Sequence, residues 1–312
     1  MKMSQVQHGH GIELRPGMKI AGKWNNQHYI IKRKLGSGTV GSVYLCDHQG
    51  KEVALKISEQ NSSITVEVNV LRALNQVQGA CLGPDLFDVD DWKATQSTTY
   101  SFYVMEYIKG ESLLTFVKQN GSEWIGVFML QLLNNLEDLH QSGWVFGDLK
   151  TDNLLIMSSP PQVRWVDVGG TTQMGRAIKE YTEFYDRGYW SMGTRRAEPS
   201  YDLFSFVMVF LTLFYPQRFP KSSDPEQMIL NKINNIREFA HYKPVLKKAI
   251  IGSYSSSGAM KQELIELLQD QKNGSSSNHL VHRPKLVSIL IESGGIIFLA
   301  TTYYLISLLI PY

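Results

Sequence analysis

Val145-Phe146-Gly147-Asp148-Leu149-Lys150-Thr151-Asp152-Asn153-Leu154-Leu155-Ile156 sets a mostly polar loop between two short apolar runs. Such runs, bounded by Gly, Asp and Asn, predict two short strands with a turn between them. Asp148 and Asn153 stand five residues apart. That spacing suits a loop that points a proton acceptor and an oxygen ligand into one cleft. Downstream, Trp165-Val166-Asp167-Val168-Gly169 puts another acid at the end of a short apolar strand. Asn153 and Asp167 are the oxygen donors that a small hard cation takes beside phosphate groups.

Upstream, Leu35-Gly36-Ser37-Gly38-Thr39-Val40-Gly41-Ser42-Val43 carries glycines at positions 36, 38 and 41. Glycines let a backbone turn tightly and approach a phosphate chain. A dinucleotide-binding fold shares this pattern, but it needs a helix directly after the glycines. Here Val43-Tyr44-Leu45-Cys46 reads as a strand, which puts the motif on a hairpin. The next strand, Val53-Ala54-Leu55-Lys56, ends on a lysine that by itself would be a solvated face. In the stretch Ile64 to Leu74, apolar residues recur at helical spacing, with Glu67 among them. An acid there is placed to pair with Lys56. Each piece alone is bland, but their order and spacing together are not.

The remaining pattern is strand-rich before Gly110 and helical after it. Strands are predicted at Tyr29 to Leu35, Ser42 to Cys46, Glu52 to Ser58 and Thr99 to Glu106. Helices are predicted at Trp124 to His140, Leu203 to Tyr215, Gln227 to Phe239 and Met260 to Gln269, the second capped by Ser200 or Asp202. The expectation is an α+β protein with two lobes and a cleft between them. Its divisions are a tail at 1–17, a first lobe at 18–108, a second at 109–270, a linker at 271–285 and an apolar segment at 286–310.

These motifs resemble those of the eukaryotic-like protein kinase family. The resemblance covers about residues 28 to 210 and implies an enzyme that moves the γ-phosphate of ATP to protein hydroxyls with Mg²⁺ or Mn²⁺. It implies that Gly36, Gly38 and Gly41 cover the phosphates and that Glu67 holds Lys56 against them. Asp148 is then the catalytic base, Lys150 the serine/threonine-type companion, and Asn153 and Asp167 the metal ligands. Met105 to Ile108 resembles the hinge, so the main chain of Glu106 and Ile108 would meet adenine. Val43, Ala54 and Leu155 would sandwich the base, and Glu111 would reach the ribose. Asp202 resembles the helix acid that braces the catalytic loop.

Leu149 to Leu154, Val166 to Thr172 and Tyr181 to Trp190, with the apolar C-terminus, are similar to the small membrane-anchored kinases of spore-forming bacteria. Kinases of that type are associated with sporulation and stimulated by DNA. The basic clusters here, Lys32-Arg33-Lys34, Arg195-Arg196 and Lys247-Lys248, are small and imply only a weak, salt-sensitive DNA contact.

The chain departs from the family pattern in three places. Phe146-Gly147 replaces the His-Arg before the base, so no arginine is present to pair with a phosphorylated activation loop. Val168 replaces the phenylalanine after the metal-binding acid, leaving space for Phe146 to fill. No Ala-Pro-Glu closes the activation segment, although Thr182-Glu183-Phe184-Tyr185 resembles the substrate-docking turn. Autophosphorylation is expected at Thr171, Thr172, Thr182 or Ser191.

From Ser293 to Ile310 the chain has 18 uncharged, mostly apolar residues. At ~1.5 Å per residue such a helix spans roughly the hydrocarbon core of a bilayer. Arg283 and Lys285 precede it and no cation follows, which implies a single-pass anchor with residues 1–285 in the cytoplasm. The N-terminus, with His8 and His10, lacks an apolar stretch and reads as a tail, not a secretory signal.

With 31 basic and 29 acidic residues in 312, the net charge of +2 excludes a strongly basic nucleic-acid binder. The two cysteines, Cys46 and Cys81, read as separate thiols. Two rival readings keep the fold. One is a phosphotransferase for a small molecule or lipid, suggested by Gly147-Asp148. The other is a membrane-bound pseudokinase, disfavoured by the full set of Lys56, Glu67, Asp148, Asn153 and Asp167.

Overall fold

The computed structural model describes residues 12–38, 41–75 and 82–276, with side chains to residue 270. The first half is an antiparallel sheet of β1 (Lys19–Ala21), β2 (His28–Ser37), β3 (Ser42–His48), β4 (Lys51–Ser58), β5 (Leu86–Lys93) and β6 (Thr99–Glu106), in the order β1-β2-β3-β4-β6-β5. Alternation along β2 buries Tyr29 and Ile31 while Lys32 and Arg33 stay outside. The buried side chains meet Leu55, Phe102 and Val104 of β4 and β6 in one core. Helix α1 (Asn61–Asn75) lies between β4 and β5 in sequence and buries Ile64, Val68, Leu71 and Leu74 at the anticipated spacing.

The N-terminal division needs correcting. Residues 12–17 are not a free tail. Leu14 is buried in the sheet core, its N–H donates to the Tyr44 hydroxyl at 3.1 Å, and that hydroxyl donates to the Ile12 carbonyl. His8 and His10 lie outside the described residues. Cys46 is a buried free thiol, and burial pushes it up to about 12. Cys81 lies outside the described residues.

The second half begins with β7 (Glu111–Ser112), α2 (Leu113–Asn120), α3 (Trp124–Gln141) and β8 (Trp144–Val145). It continues with β9 (Leu154–Ser158), β10 (Pro161–Trp165) and β11 (Thr172–Gln173), then α4 (Pro199–Thr212), α5 (Pro225–Asn235), α6 (Lys243–Ile250) and α7 (Ser257–Ser276). Helix α4 is apolar around its whole circumference because it is enclosed: residues 201–212 are all buried. Its start differs from expectation. Glu198 is the N-cap and Pro199 the first helical residue, because proline's fixed φ and missing N–H suit that position. Asp202 is thereby released to act inside the core.

Helix α5 is capped by Asp224, whose carboxylate accepts the Gln227 N–H at 3.1 Å. It stops at Asn235, short of the predicted Phe239, because Ile236 turns extended. Phe239 still packs edge-on to Phe214, with centroids 5.0 Å apart. Helix α7 runs to Ser276, into the stretch read as linker. Among the described residues no helix is long and apolar enough to cross a membrane. Residues 277–312, with the predicted span 286–310, lie outside the described residues.

Candidate active site

The glycine motif sits on the β2–β3 hairpin. Gly36 pairs with Val43, and the Gly38 N–H donates to the Gly41 carbonyl at 2.9 Å. The glycines serve different ends. A Cβ on Gly36 or Gly38 would meet nothing within 4 Å, so packing does not demand glycine at these two positions. A Cβ on Gly41 would stand 2.3 Å from the Ile57 carbonyl, so Gly41 lets β3 lie close to β4. Thr39 and Val40 lie outside the described residues.

Lys56 is buried on β4, opposite Val43 on one side and Tyr103 on the other. Its Nζ lies 2.7 Å from Glu67 Oε2 and 3.5 Å from Asp167 Oδ1. Burial acts to lower the Lys56 pKa, but the Asp167 and Glu67 carboxylates together outweigh it and hold the ammonium above the usual lysine value. Glu67 has a second donor that sequence reasoning missed. The Tyr103 hydroxyl donates to the same Oε2 at 2.7 Å, and burial with the Glu67 charge raises that phenol far above its ordinary range. The only signal was a phenol at the centre of the apolar run 102–105.

Asp148 follows β8 in the loop before β9. Its Oδ1 accepts the Thr182 hydroxyl at 3.0 Å and its other oxygen accepts from Lys150 Nζ, which also lies 3.3 Å from Thr182 Oγ1. Asn153 Nδ2 donates to the Asp148 carbonyl at 2.9 Å, which turns the Asn153 amide oxygen into a spare acceptor. Asp167 Oδ1 also accepts the Gly169 N–H at 2.9 Å. Among the described residues no three His, Cys, Asp or Glu side chains form a metal cluster. Asn153 and Asp167, the two residues read as cation ligands, each carry a hard oxygen, the donor type that Mg²⁺ takes beside phosphates.

Of the residues read as the hinge, Met105 and Glu106 end β6 and Tyr107 and Ile108 follow it. The Glu106 carboxylate is occupied by Arg164 of β10 at 2.7 Å, and the same guanidinium donates to the Gly83 carbonyl at 3.2 Å. The Glu106 N–H is also engaged, donating to the Asp85 carbonyl at 2.8 Å. Ile108 and Ala54 are buried, and Val43 and Leu155 are half-buried. Glu111 is half-buried on β7, paired with Ile156.

The loop before Asp148 is held from below. Asp202 Oδ2 accepts the Phe146 N–H at 2.7 Å and the His140 Nε2 at 2.9 Å, and Oδ1 accepts the Gly147 N–H at 2.9 Å. Gly147 has φ +80°, and a Cβ there would stand 2.5 Å from the Gly170 carbonyl oxygen. The missing arginine is thus a position where the backbone admits no side chain without strain. Phe146 tilts against Trp165, with centroids 4.7 Å apart, while Val168 is buried beside Gly83.

Without an Ala-Pro-Glu, two crossed ion pairs close the activation segment. Asp186, with no side-chain exposure, pairs with Arg195 at 2.7 Å, and Arg187 pairs with Glu198. Asp186 also accepts the Tyr201 hydroxyl at 3.0 Å, and Arg187 donates to the Ser200 hydroxyl at 2.7 Å. Sequence reasoning missed both pairs because their members are separated by the loop between them.

A buried lysine–glutamate pair facing an acid, an Asp–Lys–Thr triad and a glycine hairpin define a phosphoryl-transfer cleft. Residues 29–283 match the protein kinase domain family. The chain is 48% identical over 254 residues to the serine/threonine-protein kinase YabT of Bacillus subtilis, covering 81% of this chain and 75% of that one. It is 32% identical over 162 residues to the serine/threonine-protein kinase ppk25 of Schizosaccharomyces pombe, covering 49% and 36% respectively. A putative serine/threonine-protein kinase, L673, of Acanthamoeba polyphaga mimivirus is 26% identical over 130 residues, covering 41% and 24%. The chain belongs to the protein kinase family, within its serine/threonine class.

Proposed function

We propose that this kinase transfers the ATP γ-phosphate to serine and threonine hydroxyls of proteins, its own included, from a site tethered to the cytoplasmic face of a membrane. The observation that carries the chemistry is the Asp148–Lys150–Thr182 triad: a threonine hydroxyl already donates to Asp148 where a substrate hydroxyl must do so. When bound, Mg²⁺–ATP supplies the phosphoryl group and a cation that offsets its charge.

The chain's residues do the rest. Asp148 orients the acceptor hydroxyl and takes its proton. Lys150 stabilises negative charge beside it. Lys56, kept charged and fixed by Glu67, holds the phosphates, and Asn153 and Asp167 hold the cation. Gly36, Gly38 and Gly41 form the phosphate cover. Val43, Ala54 and Leu155 enclose the base, the main chain of Glu106 and Ile108 reads its edge, and Glu111 meets the ribose.

The test is γ-phosphate transfer from labelled ATP to a generic protein, to lipid extract and to small alcohols, by the wild type and by Asp148→Asn. Protein labelling that the variant loses by 10³-fold or more supports the reading. Transfer confined to lipid or small molecules overturns it.

Four hydroxyls are candidates for self-phosphorylation. Thr171 is buried, Thr182 is bonded to Asp148, and the Thr172 hydroxyl donates to the Gly170 carbonyl at 3.0 Å. Ser191 is exposed and its hydroxyl lies 2.6 Å from Lys221 Nζ, a cation ready for a phosphate. Ser191 is therefore the favoured site.

The tether rests on residues 286–310 and on Arg283 and Lys285 before them. Alkaline-carbonate fractionation of the full chain and of residues 1–285 tests it. A full chain that stays in the supernatant overturns it. Any DNA contact would be weak, and the sporulation setting follows from the resemblance alone.

A further inference from the structure

Ser257 opens α7 with a side chain that the helix itself does not need. The preceding Ser256 caps the helix, its hydroxyl accepting the Ala259 N–H at 3.1 Å. Ser257 instead points inward, is 1% exposed, and its hydroxyl lies 2.7 Å from His140 Nδ1. His140 is on α3, and its other ring nitrogen lies 2.9 Å from Asp202 Oδ2. A carboxylate only accepts, so Nε2 carries a proton. In the neutral ring Nδ1 is then an acceptor, and the Ser257 hydroxyl is the donor that satisfies it. Asp202 in turn grips the N–H groups of Phe146 and Gly147, directly before Asp148.

The first turn of α7 is seated on α3 by more than this bond. Lys261 pairs with Glu137 and donates to Asn134 Oδ1 at 3.2 Å. Glu137 and His140 are one turn apart on α3, and Lys261 and Ser257 are one turn apart on α7, so the two contacts share one interface. A Cβ on Gly258 would come within 2.4 Å of Glu137 Oε1, so the glycine lies directly against this carboxylate.

We propose that Ser257 is a positioning residue for phosphoryl transfer, fixing the His140 ring so that Asp202 holds the catalytic loop and its Asp148 in register. The inference rests on Asp148 acting as the base. Without the Ser257 hydroxyl, Nδ1 becomes a buried acceptor with no donor, a situation that drives a ring flip, a tautomer change or water entry. Each of these alters the face the ring turns to Asp202.

The full-length chain tests this, with Asp148→Asn as the control for the base. Ser257→Ala is expected to lower kcat about three- to tenfold with the KM for ATP unchanged, and Ser257→Thr to restore it. Combined with His140→Phe, Ser257→Ala should cost nothing beyond His140→Phe alone, since both act through one ring. Wild-type kcat in Ser257→Ala, a loss that Thr does not restore, or additive losses would each overturn the proposal. ¹⁵N NMR of His140 in the wild type keeps the test open if Ser257→Ala does not fold. A proton on Nε2 with Nδ1 accepting supports the proposal, and the reverse tautomer overturns it. An Asp148→Asn variant with full activity would instead sink the assignment of the base and leave the ring geometry standing.

Discussion

Gly147 holds φ +80° and faces Gly170 so closely that a Cβ on either glycine would strike the other's segment, at 2.5 Å from the Gly170 oxygen or 2.7 Å from Asp148 Cβ. The catalytic loop and the start of the activation segment therefore touch backbone to backbone. Gly147→Ala is expected to lose about 1–2 kcal/mol from the left-handed backbone alone. Gly147→Arg, which restores the usual family residue, is expected to do no better. Urea unfolding checks both, and an unchanged midpoint for either would contradict the contact.

Lys56 and Glu67 are both nearly inaccessible, with side chains 7% and 4% exposed. Removing one charge strands the other, which costs about 3–5 kcal/mol in buried pairs. Lys56→Met is expected to lower stability by that order and to abolish transfer. Parallel measurement of unfolding free energy and ATP turnover decides it. A fully stable Lys56→Met protein would refute the burial of the pair.

Tyr103→Phe removes only the hydroxyl that donates to Glu67. Hydrogen bonds to charged groups are worth about 1.5–3 kcal/mol. The variant should fold less stably by that amount and keep measurable activity, because Lys56 still faces Glu67. Steady-state kinetics and thermal unfolding of the same preparation separate the two effects.

Alkaline pH should unmask Cys46. Its thiol ionises at about 12 in the fold, against about 8.5 in the unfolded chain. Between those values the unfolded state binds fewer protons, so stability falls as pH rises, by up to about 1.4 kcal/mol per unit for one group. Cys46→Ala should flatten that fall relative to the wild type. Lys56 adds a loss of the same sign, beginning above about pH 10.4 and completed as pH passes its raised folded value. Identical pH slopes for wild type and Cys46→Ala would mean the thiol is accessible.

Arg187→Met should separate nucleotide binding from substrate binding. Arg187 braces the activation segment through Glu198, Ser200 and the Thr194 carbonyl, and touches none of the cleft residues around Lys56. ATP affinity is expected to hold while kcat/KM for a protein substrate falls at least tenfold. A matched loss of ATP affinity would place Arg187 in a different role.

The sequence revealed what depends on short-range pattern. Lys56 on its strand, Glu67 on its helix and the hairpin at Gly36 to Gly41 all follow from local alternation and glycine placement. β5 did not, because Leu86 to Lys93 carries Asp88, Asp90 and Asp91, which argue against a strand. The fold gives all three acids hydrogen-bond donors from far along the chain, Asp91 accepting Trp24 Nε1 at 3.0 Å. Asp90 accepts the N–H groups of Trp24 and Asn25 at 2.9 and 2.8 Å, and Asp88 accepts the Tyr29 hydroxyl at 2.7 Å. The Asp186–Arg195 and Arg187–Glu198 pairs were hidden for the same reason, since no periodicity marks a contact made across a loop. The start of α4 was misread because Ser200 and Asp202 look like caps, while Pro199 fixes the helix start one residue before Ser200.

The crossed pairs at 186–187 and 195–198 carry one more consequence. They anchor both ends of a short loop that is itself stitched inward: the Gly188 and Tyr189 N–H groups donate to Asp186, the Thr194 carbonyl accepts from Arg187, and Trp190 is fully buried. Length changes there would pull on both anchors at once. New recognition chemistry is thereby confined to exposed positions such as Ser191, which can be exchanged without rebuilding the catalytic apparatus.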